Sequence, residues 1–492
     1  MFEKVINWTK GVLSKLGLIK QLESVGSVKN HKPINVADSY YSRVALNKAI
    51  YQGYVPEWHT VAYTTSQGTK KNRNMLTMGM GKTMASKMAT LIYNENCTID
   101  IDDDGAREFI NAVFADNKFN FNFQRYLEYA YALGGMAIKP YVEDGKIKLG
   151  YATAESFYPL GSSSEEVTDA LFVTQETQGK TYYTLLEWHE QKGEGMVISN
   201  ELYRSDIKEQ LGTRIPLATL YPDLNEETII ENAHPLFTYF RSSEANNKDL
   251  TSPLGISIFE NVHDQLYLLD YMYDFWFNEF KLGKRRIAVD KSMIRAFIDP
   301  VTGEQRMAFD PDETVFVGLN AETQNTQDLS VELRADDIIN SINALLNIIA
   351  MKAGFSAGTF TFNGQGVKTA TEVISENSAT YQTKNSYETM VDESLKQLIN
   401  SILDLATVYG IYKRPTKELE ITINFDDSIA QDRDSNFNRY SMAVGQGLMP
   451  KVEAMMRIWD ITEETALEWV QMINEQNRTQ VSAEMSAMIG VE

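Results

Sequence analysis

A chain of 492 residues, 43% hydrophobic and 11% aromatic, is globular with roughly two to four packing units, which excludes a disordered or fibrous protein. Its 46 Lys plus Arg face 67 Asp plus Glu, and the net charge of −21 with a pI near 4.8 excludes tight wrapping around nucleic acid while leaving loose passage of DNA allowed. A single cysteine, Cys97, excludes an intramolecular disulfide and fits a reducing compartment.

No stretch approaches the roughly eighteen consecutive apolar residues of a membrane span. Residues 1–35 read as an N-terminal arm. Its first twenty residues are amphipathic, with Val5, Val12, Leu16 and Ile19 set apart from Lys4, Lys10, Lys15 and Lys20. They lack the uninterrupted apolar core of an export signal. Docking onto a neighbouring subunit or partner is the plainer reading, and a membrane-surface helix the alternative.

Helical patterns are predicted from Val36 to Gly53 and from Asn72 to Glu95, the second with Met75, Met78, Met88, Leu91 and Ile92 on one face. A third helix follows Asp104-Gly105, and a fourth runs from Phe121 to Leu133, stopped by Gly134-Gly135. Strands follow. MAIKPYVEDGKIKLGYA predicts a hairpin about Asp144-Gly145, ALFVTQETQGKTYYTLLEWHE one near Gly179, and GMVISNELYRS a further strand. An acidic loop, Asp223 to Glu231, leads to a strand in LFTYFR. Residues 36–252 are thus an α+β region, helix-rich first and sheet-rich second.

The segment 253–283 predicts a long helix. Ile256, Phe259, Val262, Leu266, Leu269, Tyr273, Trp276 and Phe280 recur at helical spacing. Its acids Glu260, Asp264, Asp270, Asp274 and Glu279 fall within about half the circumference, so an aromatic half is predicted to be buried and an acidic half to face outward. A basic cluster, Lys281, Lys284, Arg285 and Arg286, ends it, and a compact strand-and-turn segment runs to about Asn320. A second helix is predicted from Leu333 to Ala353, with Ile338, Ile342, Leu345 and Ile349 on one stripe and Asp336 and Asp337 favourable in its first turn.

GFSAGTFTFNGQGV, from Gly354 to Val367, reads as a mobile Gly-rich loop tipped by Phe360 and Phe362. Thr369 and Glu372 then form a capping box opening a helix to Tyr409, about 60 Å long. Its first half is polar (Ser375, Asn377, Ser378, Thr380, Gln382, Thr383) and is predicted to span packed units or lie at a subunit interface. The strand LEITINF follows, then three short helices broken at Gly445-Gln446-Gly447 and Thr462.

Catalytic patterns are weak. MGMGKT lacks the first glycine of a phosphate loop, since Leu76 stands there. Asp100, Asp102 and Asp104 before Gly105 match the first half of a calcium loop, but the twelfth position is Asn111, and capping of the next helix is the plainer reading. The five histidines, His31, His59, His189, His234 and His263, show no metal-ligand spacing, and nothing marks Cys97 as a nucleophile. The acids Asp426, Asp427, Asp432 and Asp434 could hold a divalent ion, against the plainer reading of caps and solvated surface. No enzyme signature survives, and neither a cofactor nor a metal is expected.

The segments SKMATLIYNE, GGMAIKPYVEDGKIKLGY, SPLGISIFENVHDQLYLLDYMYDFWFNEFKLGK, GQGVKTATEVISENS and FDDSIAQDRDSNFNRYSMAVGQGLMPKVEAMMRIWDITEETALEW occur in that order. Together they resemble the portal proteins of tailed bacteriophages, in the branch typical of phages of Gram-positive hosts. The resemblance implies a ring-forming α+β subunit, usually twelve to a ring, at one vertex of the capsid, assembled in the host cytoplasm. It implies a wing over 36–252, stem helices over 253–283 and 333–353 and a clip over 284–332. A tunnel loop over 354–368, a long helix and wing strand over 369–425 and a helical crown over 426–492 complete the chain. On that reading Glu260, Asp264, Asp270, Asp274 and Glu279 are candidates to line the channel. Phe360, Phe362, Asn363, Gln365 and Lys368 belong to the tunnel loop, and Lys284, Arg285 and Arg286 are candidates for partner contact at the clip. The implied partners are further copies of the chain, the terminase large subunit, head-completion or adaptor proteins, major capsid and scaffold proteins, and double-stranded DNA passing without sequence specificity, with no membrane. Twelve copies would carry about −250 charges, and an acidic wall keeps phosphates from sticking. The rival readings are a metal-dependent hydrolase using the Asp426–Asp434 cluster and a virion structural protein without a channel.

Overall fold

The computed structural model describes residues 38–64, 68–162, 167–193, 195–208, 210–222, 224–231, 235–283, 287–288, 295–298, 303, 305–308, 327–328, 332–361, 378–425, 433–459 and 461–475. The N-terminal amphipathic stretch therefore lies outside the described residues, as do Lys284, Arg285 and Arg286.

Helix α1 (Asp38–Tyr51) is followed by the short α2 (Pro56–His59) and by a two-stranded ribbon, β1 (Thr60–Thr64) with β2 (Lys70–Asn74). The helix predicted from Asn72 instead starts at Met80, because residues 70–74 are paired to β1 as a strand. That helix, α3 (Met80–Ile92), buries Met80, Met84, Met88, Leu91 and Ile92 at helical spacing. Strand β3 (Thr98–Ile101) leads to α4 (Asp104–Asp116), whose N-cap Asp103 accepts the Ala106 N–H at 2.8 Å. Helix α5 (Phe119–Leu133) stops at Gly134, as its sequence predicts.

Two antiparallel sheets make the β-rich body. One has the order β12 (Thr238–Arg241), β4 (Gly135–Glu143), β5 (Lys146–Thr153). Asp144 and Gly145 both take positive φ between β4 and β5, the backbone that a two-residue hairpin turn demands. The other sheet has six strands. Five run in the order β10 (Thr213–Ile215), β9 (Gly195–Ser205), β8 (Thr181–Lys192), β7 (Val167–Gln178), β6 (Phe157–Ser162), and β11 (Glu227–Glu231) also pairs with β9. The predicted acidic loop at 223–231 is thus partly a strand, since alternate residues Thr228 and Ile230 are buried. Aromatic rings join the sheets: Phe157 stacks on Tyr239 at 5.1 Å and meets Phe172 and Phe237 edge-on or tilted.

The helix predicted over 253–283 divides in two. Residues 253–262 are not α-helical, and helix α6 (His263–Leu282) begins only after them. The backbone polar groups of the first part are satisfied by other elements: Ile258 N–H donates to Tyr131 O, and the Ile256 and Leu254 carbonyls accept from Ser242 and Asn246. A Cβ at Gly255 would stand 2.3 Å from the Gly134 carbonyl oxygen, so close backbone packing replaces a helical turn here.

After α6, short strands pair as β13 (Ile287–Ala288) with β16 (Gln327–Asp328) and β14 (Arg295–Ile298) with β15 (Gln305–Ala308). Helix α7 (Ala335–Lys352) agrees with its prediction to within two residues. Helix α8 (Ser378–Val408) runs 31 residues through the body, against β12, β4, α3 and α4. Val391, Leu395, Leu398, Ile402 and Leu405 are fully buried, each worth roughly 2 kcal/mol in area removed from water. The polar first half of α8 is buried along one side and exposed along the other, at Ser378, Gln382, Asn385 and Ser386. Thr380, Lys384 and Glu388 are buried, with Lys384 Nζ 2.6 Å from Glu388 Oε1 and Thr380 bonded to Ser356. Strand β17 (Ile421–Asn424) pairs with β3, and α9 (Arg433–Gly445), α10 (Lys451–Trp459) and α11 (463–475) close the described chain as three helices.

Candidate functional site

Helices α6 and α7 pack side by side and antiparallel. Leu266 and Leu269 on α6, and Ile338, Ile342, Leu346 and Ile349 on α7, are buried at three- and four-residue spacing. Polar contacts fix both ends. Lys352 Nζ donates to Gln265 Oε1 at 3.2 Å, while Arg334 donates to both oxygens of Glu279 from Nε (3.1 Å) and Nη2 (2.8 Å). These bonds hold the Glu279 carboxyl below its ordinary value.

The five carboxylates predicted to share an outward half do not do so. Glu260 precedes the helix and is buried, accepting from Asn47 Nδ2 at 2.7 Å and paired with Arg43. Asp270 Oδ1 accepts the Met78 N–H at 2.7 Å and Oδ2 lies 3.0 Å from His59 Nε2. Because the Val55 N–H donates to His59 Nδ1, the neutral imidazole carries its proton on Nε2 and donates it to Asp270. Burial lifts the Asp270 carboxyl above its usual value despite these bonds. One turn on, Asp274 accepts from Arg73 Nη1 (2.8 Å), Arg73 Nη2 (2.6 Å) and the Leu76 N–H (3.1 Å). Burial works to raise its carboxyl, but the bonds from Arg73 and Leu76 outweigh burial and hold it low.

Two acids at i and i+4 thus clamp residues 73–78 to α6 as a strap, and Glu279 is held by Arg334. Asp264 alone of the five is exposed. The outward surface of α6 carries Tyr267, Leu268 and Tyr271, and farther along Phe277 and Phe280, all at least two-fifths exposed. On α7, Ile348 and Met351 are also exposed, Met351 at 68%. The predicted polarity of α6 is therefore reversed: acids turn toward the subunit and a share of the apolar side chains turn away. The reason is the strap, whose backbone N–H groups and cation need acceptors that an apolar face cannot supply. Its only trace in the sequence is the basic run Lys70, Lys71, Arg73.

The start of the Gly-rich loop is fastened rather than free. Phe355 is buried and Phe360 packs edge-on against it at 5.0 Å, so Phe360 is no exposed tip. Gly358 N–H donates to Asn347 Oδ1, and Ser356 N–H to Thr380 Oγ1, both at 2.8 Å. Phe362, Asn363, Gln365 and Lys368 lie outside the described residues.

The rival chemistries gain no geometry. Lys82 of MGMGKT is bound to Glu128 at 3.0 Å. Asp102 pairs with Lys417 and accepts the Glu420 N–H, and Asp100 and Asp104 both meet Arg107. Among the described residues no group of three or more His, Cys, Asp or Glu is placed to hold a metal, while Asp426, Asp427 and Asp432 lie outside them. Among the described residues, too, no helix is long and apolar enough to cross a membrane.

Residues 30–481 match the family described as Phage portal protein, SPP1 Gp6-like. No curated protein matches the chain.

Proposed function

The chain belongs to the phage portal protein family, and on that premise we propose that it forms a ring, of about twelve subunits, through which double-stranded DNA enters and leaves the capsid. The family is structural, and the role is that of a conduit and platform, with no bond made or broken by this chain. The observation that carries the reading is the α6–α7 pair: a pinned, antiparallel unit that leaves Tyr267, Leu268, Tyr271, Ile348 and Met351 uncovered in a single copy. Apolar side chains exposed together on helices mark surfaces for association.

In this reading residues 36–252 are the wing, α6 and α7 the stem, 284–332 the clip, 354–368 the tunnel loop and 426–492 the crown. Asp264 is the stem acid left to face the channel, and the net charge of −21 per copy keeps passing phosphates from adhering. The clip, with Lys284, Arg285 and Arg286 at its edge, is the docking face for the terminase large subunit during packaging and for head-completion proteins afterwards. Capsid and scaffold proteins surround the ring at assembly.

Negative-stain microscopy of the purified chain tests the reading. Rings of one dominant rotational symmetry with an open centre are expected. A particle that stays monomeric across protein concentration and salt would sink it.

A further inference from the structure

Among the described residues the β1–β2 ribbon has no third strand, and eight of its ten paired residues are exposed, Val61 and Arg73 being the half-buried ones. A two-stranded ribbon exposed on both faces is marginal in water by itself. Its root is nevertheless held firmly. Tyr54 Oη contacts Thr60 Oγ1 and Asn74 Oδ1, the Met75 N–H donates to the His59 carbonyl at 2.7 Å, and Arg73 is clamped on Asp274. The outer half carries Lys70, Lys71 and the exposed Tyr63, whose cross-strand partner is Lys71. A rigid root with an uncovered, cationic outer half on a chain of net charge −21 is built to reach an acidic surface.

We propose that this ribbon is an inter-subunit arm whose Lys70 and Lys71 dock on a second copy of the chain, at the exposed acidic turn Glu332, Asp336 and Asp337 that opens α7. The proposal rests on the ring reading above. A ring needs heterologous contacts, in which the donor and acceptor patches of one subunit differ, and ribbon and acidic turn are two such patches. Their levels along the stem agree. The ribbon roots on α6 at Asp270 and Asp274, and the acidic turn lies beside Glu279 through Arg334. Five to nine helical residues separate those levels by roughly 10 Å, and a five-residue strand reaches roughly 17 Å.

The test is sedimentation velocity of the full chain across NaCl concentrations, with thermal unfolding as a check on the fold. Lys70→Glu with Lys71→Glu is expected to weaken association about tenfold at low salt and to leave the melting of the dissociated chain unchanged. Adding Glu332→Lys, Asp336→Lys and Asp337→Lys to the same chain restores association, because every arm and every acceptor then carry exchanged charges. Association equal to the unaltered chain at every salt, or no restoration by the exchange, overturns the arm. Reduced binding of a short DNA duplex with unchanged association assigns the lysines to nucleic acid and also overturns it. An unaltered chain that never associates overturns the ring reading instead, a separate failure.

Discussion

The β-rich body and the α6–α7 pair both carry ion pairs, yet they place them in opposite surroundings. In the body, Lys139 Nζ reaches Glu187 Oε2 at 2.5 Å and sits 4.9 Å from the Phe172 ring centre, while His189 Nε2 lies 2.7 Å from Glu187 Oε1. Burial pushes the Glu187 carboxyl up, but Lys139 and His189 overcome it and bring it down to about 2. Burial holds His189 below its ordinary value. At the far end of the α6–α7 pair, Arg334 is 62% exposed on Glu279, where solvent screens the attraction. The body closes its core and its charges within one copy. The pair does not: Tyr267, Leu268, Tyr271, Ile348 and Met351 stay uncovered in one copy, and in the proposed ring a neighbour would cover them.

The largest effect expected comes from breaking the body. Glu187→Leu leaves Lys139 and His189 buried without their acceptor and should cost about 3–5 kcal/mol in chemical denaturation near pH 7. The sign in acid follows from the lowered carboxyl. Its contribution is present above the ordinary value of 4.5 and is lost as pH falls toward about 2, so the gap between variant and unaltered chain should close over that window. An equal gap at pH 3 and pH 7 would count against the buried triad.

Glu244 sharpens the comparison from the other side. This half-buried carboxyl lies near Tyr387, and burial lifts it to about 7. A raised carboxyl contributes stability that is present below 4.5 and lost as pH rises through about 7. Glu244→Gln should therefore stabilise the chain by ~3 kcal/mol at pH 8 and change little at pH 4, as read from melting curves at the two pH values. A gain of equal size at both would refute burial as the cause.

The smallest effect on the fold belongs to the α6–α7 pair. Ile348→Asp with Met351→Asp should cost the dissociated chain only about 1–2 kcal/mol, because Met351 is 68% and Ile348 41% exposed and the cost is chiefly that of Asp near the negative end of a helix. Association measured by sedimentation should nevertheless fall sharply. Loss of folding instead would show that one copy already covers these residues.

Much of this architecture was legible locally. The Asp144-Gly145 turn, the stop at Gly134 and the buried stripe Leu395, Leu398, Ile402 and Leu405 follow from backbone permissiveness and from side-chain periods of two and 3.6. The ribbon at 60–74 was not, since its ladder is exposed on both faces and leaves no alternating pattern to read.

The sequence by itself determined the α+β class, the run of helices before sheets and the bounds of α7 to within two residues, because caps, turns and hydrophobic period act over a few residues. Only the tertiary structure decided where α6 begins and which way its acids point. Pro253–Val262 has the composition of a helix, yet Tyr131, Ser242 and Asn246 claim its backbone polar groups first. Asp274 meets Arg73 across 201 positions of chain, and Asp270 meets His59 across 211. A helix's own period sets which residues share a face. What covers that face is a pairing between distant segments, fixed by the need of each buried donor for an acceptor.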